Sequence, residues 1–246
     1  MALRTRYITM VDKFTAAVAA NRFGLGARPG EIDRMAHDPR GALRSQLLGG
    51  APLIHNEALS DTPSVLSRAA QLRAARREHR RADAVEDVGA DSSSASIPNN
   101  STLLPPGTVE KLSGFFRGIY VDEAVARMRG AILTERSFVE RLVHFWSNHF
   151  AVSVDKLAVL GVAGCYEREA IRPHVMGRFQ ELLVAAEQHP AMLLYLDNYQ
   201  SVGPNSTLAK YRAPQGQSQK QKVGINENLA REILELHTLG VDGGYS

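Results

Sequence analysis

Apolar residues in the second half of the chain recur at helical spacing, and nowhere do they alternate as a half-buried strand requires. The pattern predicts helices over 109–119, 121–150, about 160–171 and 173–188. His189-Pro190 then punctuates the path, and Pro190 suits the first turn of a helix running to about Leu196. No repeat of fixed period is present. The fold class that follows is mostly α, an irregular multi-helix bundle with two long polar loops.

The first half is less regular. Residues 12–22 predict a helix broken by Gly24, Gly26 and Pro29, with short helices over 31–37 and 41–48. From Ser67 to Asp87 large apolar residues almost vanish. Six arginines (Arg68, Arg73, Arg76, Arg77, Arg80 and Arg81) precede Asp83, Glu86 and Asp87, which reads as a solvated helix or a disordered arm. The Ser-, Asn- and Pro-rich stretch 91–107 reads as a linker. The expected organisation is N-terminal helices over 1–50, a charged insertion or linker over 51–107, and a helical core over 108–246.

Composition excludes several function classes. At 246 residues and 44% hydrophobic the chain can bury a real core. A net charge of +3 gives no mandate for nucleic acid, and the acids after the arginine run cancel much of its charge. The single Cys165 leaves no intrachain disulfide framework and reads as a small core residue. No apolar run approaches the ~18 residues that span a bilayer. The run 14–20 follows Asp12 and Lys13 and leads into Asn21-Arg22-Phe23, so it reads as a folded helix rather than a signal core. As written, the chain is expected in the cytoplasm.

Two helices carry the candidate chemistry. Projected at 100° per residue, Phe138–Phe150 has an apolar face of Phe138, Val139, Leu142, Phe145 and Trp146, with His149 at its centre and His144 on the polar side near Glu140. The segment 226–238 clusters Leu229, Ala230, Ile233, Leu234 and Leu236 on one face, with His237 in their midst. Glu227, Asn228, Arg231, Glu232, Glu235 and Thr238 fall on the other. Each histidine alone reads as a core residue held by hydrogen bonds. Together they could converge as metal ligands or as an acid/base pair, completed by a nearby carboxylate. Neither helix has the His-Glu-x-x-His spacing that puts two ligands on one face.

The acids of the last helix have a structural explanation. Asn226 is a natural N-cap, Glu227 favours the dipole and can pair with Arg231, and Gly240 fits the C-terminal turn. Asp197-Asn198, after the apolar run 192–196, reads as a helix-terminal cap or as a carboxylate presented to a cleft. No G-x-S-x-G elbow, phosphate-binding glycine loop or C-x-x-C pair occurs.

Four blocks, RFGLGARPGE (22–31), RLVHFWSNHFAVS (141–153), HPAMLLYLDNYQSVGPNS (189–206) and NENLAREILELHTLGVDGGYS (226–246), together resemble the bacterial domain-of-unknown-function family 1800. The family has no settled activity. The resemblance implies a large, predominantly helical protein, and relatives often carry export signals and lie beside genes of another uncharacterised family that resembles sulfatase-type hydrolases. Residues of this chain within those blocks include Trp146, Asn148, His149, His189, Asp197, Asn198, Asn226, Glu227, Asn228, Arg231, Glu232, Glu235 and His237. Family domains continue with further helical blocks, which implies an N-terminal portion of an incomplete domain whose exposed apolar surface drives self-association.

Three function classes remain. The preferred one is an interaction or scaffold protein acting with a partner enzyme. The alternative is a metal-assisted hydrolase in which His149 and His237 hold a divalent metal with Glu232 or Asp197 as the carboxylate. The third is binding of an anionic polymer through the arginine-rich arm.

Overall fold

The computed structural model describes residues 10–87, 106–207 and 224–244. Among these every regular element is a helix. The linker expected over 91–107 lies almost wholly outside the described residues, as does most of the polar loop after Ser206.

Three helices open the chain: α1 (Met10–Phe23), α2 (Glu31–Met35) and α3 (Pro39–Leu47). The start of α3 is written in its sequence, since Asp38 accepts the Gly41 N–H at 2.9 Å and Pro39 follows it. The three enclose a small core of Ala16, Ala19, Ala20, Met35 and Ala36. They are tied to α6 (Ser137–His149) by polar clasps. The Gln46 side chain accepts the Phe138 N–H at 2.8 Å, and Arg141 donates to the Gly24 carbonyl at 2.8 Å.

The arginine-rich stretch is helical, within α4 (Thr62–Asp87). Of the two readings of the stretch from Ser67 onward, the helix is the one that forms; ahead of it Thr62 and Val65 are buried, and Val65 and Ala69 belong to the main core. Arg68, Arg73, Arg77 and Arg81 are exposed.

The chain then runs unbroken through α5 (Pro106–Leu133), past the break expected near Tyr120. The turn comes instead at 134–136, where Thr134 Oγ1 accepts the Arg136 N–H at 3.0 Å and α6 begins. Two short helices, α7 (Leu157–Leu160) and α8 (Ala163–Tyr166), lead into a π-helix, π1 (Glu167–Ile171). α9 (Phe179–Gln188), α10 (Pro190–Tyr195) and a 3-10 turn (Asn198–Gln200) follow. The last helix is α11 (Asn228–Glu232), which widens into a second π-helix, π2 (Ile233–Thr238).

The main core is gathered by α4, α5, α6, π1, α9 and α10 around Phe116, Phe150, Ile171, Leu182 and Met192. Helix α5 lies hard against the α7–α8 turn. A Cβ at Gly161 would collide with the Phe116 ring, and one at Gly164 with the Glu123 side chain. Only glycine at these two places allows the contact. No described helix is long and apolar enough to cross a membrane.

Candidate functional site

The two histidines picked out by helical projection do meet. Their ring centroids are 6.0 Å apart. His149, the last residue of α6, is half-buried among Trp146, Phe150 and Phe179, with ring centroids at 5.4, 4.6 and 6.4 Å. Its Nε2 lies 3.1 Å from the His237 carbonyl oxygen. A carbonyl only accepts, so Nε2 carries the proton and donates. That carbonyl sits near the end of π2, where backbone acceptors lack partners along the helix. His149 therefore staples the last helix to α6.

His237 is buried, with Nδ1 2.6 Å from Oε1 of Glu187 on α9. The approach is close but not aligned for a hydrogen bond: Nδ1 and both Glu187 oxygens are shut off from solvent without a hydrogen-bond partner. The local backbone explains how a histidine lands here. Within π2 the Leu239 and Gly240 N–H groups both donate to the Leu234 carbonyl, at 2.9 and 3.1 Å. Gly240 then takes a left-handed φ of 82° to leave the helix. π-helical turns recur at functional sites because they displace one side chain from the α register.

The carboxylates expected to complete this pair are elsewhere. Asp197 is the one described non-glycine residue at positive φ, 57°, two residues after the end of α10. Its carboxylate is 2.7 Å from Lys156 Nζ, which also donates to the Tyr195 carbonyl at 2.7 Å, so the two residues close the C-terminus of α10. Glu232 is half-buried, and no described hydrogen bond or ion pair takes it to either histidine. The partner that arrives, Glu187, is from a different helix.

The remaining family-block residues are structural in their contacts. Asn226 accepts the Asn228 N–H at 3.0 Å and donates its amide to the Leu196 carbonyl at 3.0 Å, which caps the last helix and anchors it to α10. Asn198 accepts from Ser201 at 2.9 Å. Glu227, Asn228 and Arg231 are exposed, Glu235 is half-buried, and no described ion pair joins Glu227 to Arg231. His189 caps α10: its Nδ1 accepts the Ala191 N–H at 3.1 Å, so the proton sits on Nε2. That N–H points between Glu169 Oε2 and Thr62 Oγ1, each 3.2 Å away.

The ligand set expected for a divalent metal is not assembled among the described residues. One imidazole spends Nε2 on a backbone carbonyl, and Asp197 is held by Lys156. Among the described residues no group of three or more His, Cys, Asp or Glu side chains is placed to hold an ion.

A buried ionic network also escaped sequence reasoning. Arg172 is 1% exposed. It pairs with both oxygens of Glu140, at 2.5 and 2.9 Å, donates Nε to Glu167 at 3.0 Å, and reaches the Pro52 carbonyl. The outer oxygen of Glu167 takes Ser147 at 3.1 Å and Arg127 at 2.7 Å. Charged residues at core positions were the available signal, since such residues are buried only when paired. Beside this network opens a cavity of about 410 Å³, lined among others by Tyr120, Arg127, His144, Ser147, Asn148 and Val152. Burial, helped by Arg127, holds the His144 pKa below its ordinary value, so that side chain favours its neutral form. Burial and the nearby Glu123 carboxylate push the Cys165 thiol up to about 12, which makes it inert.

The other unusual surface is the outward side of α5. Val121, Val125, Met128 and Ile132, spaced four, three and four apart, are 50–62% exposed. On the opposite side Phe116, Glu123 and Ala126 are buried. The helix is thus apolar on two opposed faces, and the described residues cover one.

A family model described as "Protein of unknown function (DUF1800)" matches residues 18–246. No curated protein and no solved structure matches the chain.

Proposed function

The chain belongs to the family described as proteins of unknown function, DUF1800, and from that premise we propose that it is an interaction protein, built to hold another polypeptide. The observation that supports this is the two-faced α5. A helix apolar on both sides is ordinarily buried on both. Leaving Val121, Val125, Met128 and Ile132 in water forgoes burial worth about 25 cal/mol for each Å² of apolar surface. Leu236, Leu239 and Val241, exposed at the end of the chain's last helix and in the turn beyond, add a second uncovered group. The partner class comes from the family resemblance alone, which suggests a sulfatase-type hydrolase.

Size-exclusion chromatography with light scattering tests the reading, on the full chain alone and with such a hydrolase. The wild type is expected to elute as a complex with itself or with the enzyme. Val125→Glu/Met128→Glu, still helical by circular dichroism, is expected to elute as a monomer. A monomeric wild type in both mixtures, with its α5 face protected from chemical labelling, would sink the proposal.

The metal-assisted hydrolase reading keeps one supporting observation, the meeting of His149 and His237 beside Glu187, whose Oε1 lies 2.6 Å from His237 Nδ1. Metal analysis of the purified full chain decides it. Stoichiometric metal that disappears in His237→Ala would displace the interaction reading.

A further inference from the structure

The outward face of α5 carries a register that fits itself. We infer that two copies of this chain pair antiparallel through α5 about a two-fold axis, an inference that rests on reading that face as an interaction surface. The stripe Val121, Val125, Met128, Ile132 has the four-three-four spacing of the d and a positions of two heptads. Laid antiparallel on a second copy, Val125 faces Met128 and Val121 faces Ile132, and symmetry repeats both contacts to give four apolar layers. The overlap covers 120–133, which is about 20 Å of helix at 1.5 Å per residue.

The flanks decide for a second copy of the same chain. On one side of the stripe stand Asp122 and Arg129, seven residues apart and both exposed. Neither has an ion-pair partner among the described residues. In the antiparallel register Asp122 of each copy meets Arg129 of the other, so each charge is answered twice by one symmetry operation. On the other flank Ala124 meets Ala131, and their small side chains let the helices approach. A parallel pair would set Gly118 against itself and Arg129 against Ala124, which leaves a void and an unanswered charge.

Sedimentation equilibrium of the full chain provides the test, with circular dichroism confirming that each variant is folded. The wild type is expected to dimerise and Val125→Glu/Met128→Glu to be monomeric. Asp122→Arg sets like charges face to face at two places and is expected to weaken the dimer about tenfold. The exchange Asp122→Arg/Arg129→Asp is expected to restore it to within about threefold. Failure of that exchange to restore the dimer overturns the antiparallel pairing, and so does a dimer indifferent to Val125→Glu/Met128→Glu. If the wild type stays monomeric, maleimide labelling of Val125→Cys separates the two failures, with Cys165 buried and silent. Rapid labelling overturns self-pairing and leaves the face free for a different partner. No labelling means the face is already covered, and both proposals fall.

Discussion

Among the described residues, two histidine–glutamate pairs built on a buried histidine are finished to different degrees. His189 and Glu169 leave nothing open: one ring nitrogen caps α10, the other donates toward Glu169 and Thr62, and the Thr62 N–H holds the second carboxylate oxygen at 3.0 Å. His237 and Glu187 are shut further from water, with side chains 7% and 8% exposed against 8% and 27% for His189 and Glu169, yet three of their polar atoms lack hydrogen bonds. A buried polar group without a partner costs about 1–3 kcal/mol, and more if charged. The first pair fixes a helix where it is. The second tolerates a deficit at the place where the last helix docks, so that helix should be the first element to loosen.

The sharpest way to break this contrast is Arg172→Met, which attacks the satisfied side. It strands Glu140 in the core, leaves Glu167 only its outer contacts with Arg127 and Ser147, and should cost about 3–5 kcal/mol in urea unfolding. A loss below about 1 kcal/mol would mean that the network relaxes or admits water. His189→Ala is next. Loss of the α10 cap and of the Glu169 and Thr62 contacts should cost about 2 kcal/mol by the same measurement.

Glu187→Leu/His237→Leu removes the unfinished pair together, and should change stability by no more than about 1 kcal/mol, because both charges leave the core at once and the atoms deleted made no hydrogen bond. If this variant falls as far as His189→Ala, the two pairs are equivalent and the contrast is wrong. Hydrogen exchange sharpens the same point: amides of 233–238 should exchange before those of 190–195.

The smallest effect is on acid stability. Burial works to raise the Glu169 pKa, but the hydrogen bonds from His189 and Thr62 outweigh it and hold the carboxyl below its ordinary value of 4.5. A folded pKa below the unfolded one gives stability that is fully present above about pH 4.5 and is lost as pH falls through the folded value. Glu169→Gln should therefore flatten the wild type's decline below pH 4.5 by less than about 1 kcal/mol. An unchanged acid slope would show that His189 does not hold this carboxylate in solution.

Much of the local structure was legible in the residues. Asp38-Pro39, Pro190 and Gly240 mark helix ends with side-chain or backbone chemistry that acts within a few positions. The inward direction of His149 and His237 followed from periodicity. What was missed is long-range or irregular. The α5–α6 turn at Thr134-Glu135-Arg136 has neither glycine nor proline, so nothing local announces it. Glu187 lies 50 positions from His237, and pairing across that distance depends on how α9 and the last helix pack. The two π-helices insert extra width that a 3.6-residue projection averages away. The extension of α4 back to Thr62, ahead of the charged run that begins at Ser67, went unread because Val65 and Ala69 are sparse anchors, though the two suffice to draw its first turns into the core.

The glycines at 161 and 164 set a depth gauge for the whole molecule. With no side chain on the α7–α8 turn, α5 sinks until the Phe116 ring and the Glu123 stem rest on bare backbone. How far Val125 and Met128 project from the opposite side is thereby decided on a surface they never touch. An alanine at either glycine would lift the helix by about the thickness of a methyl group and tilt its outer stripe out of true. The outer stripe's tolerance to mutation is thus governed from beneath.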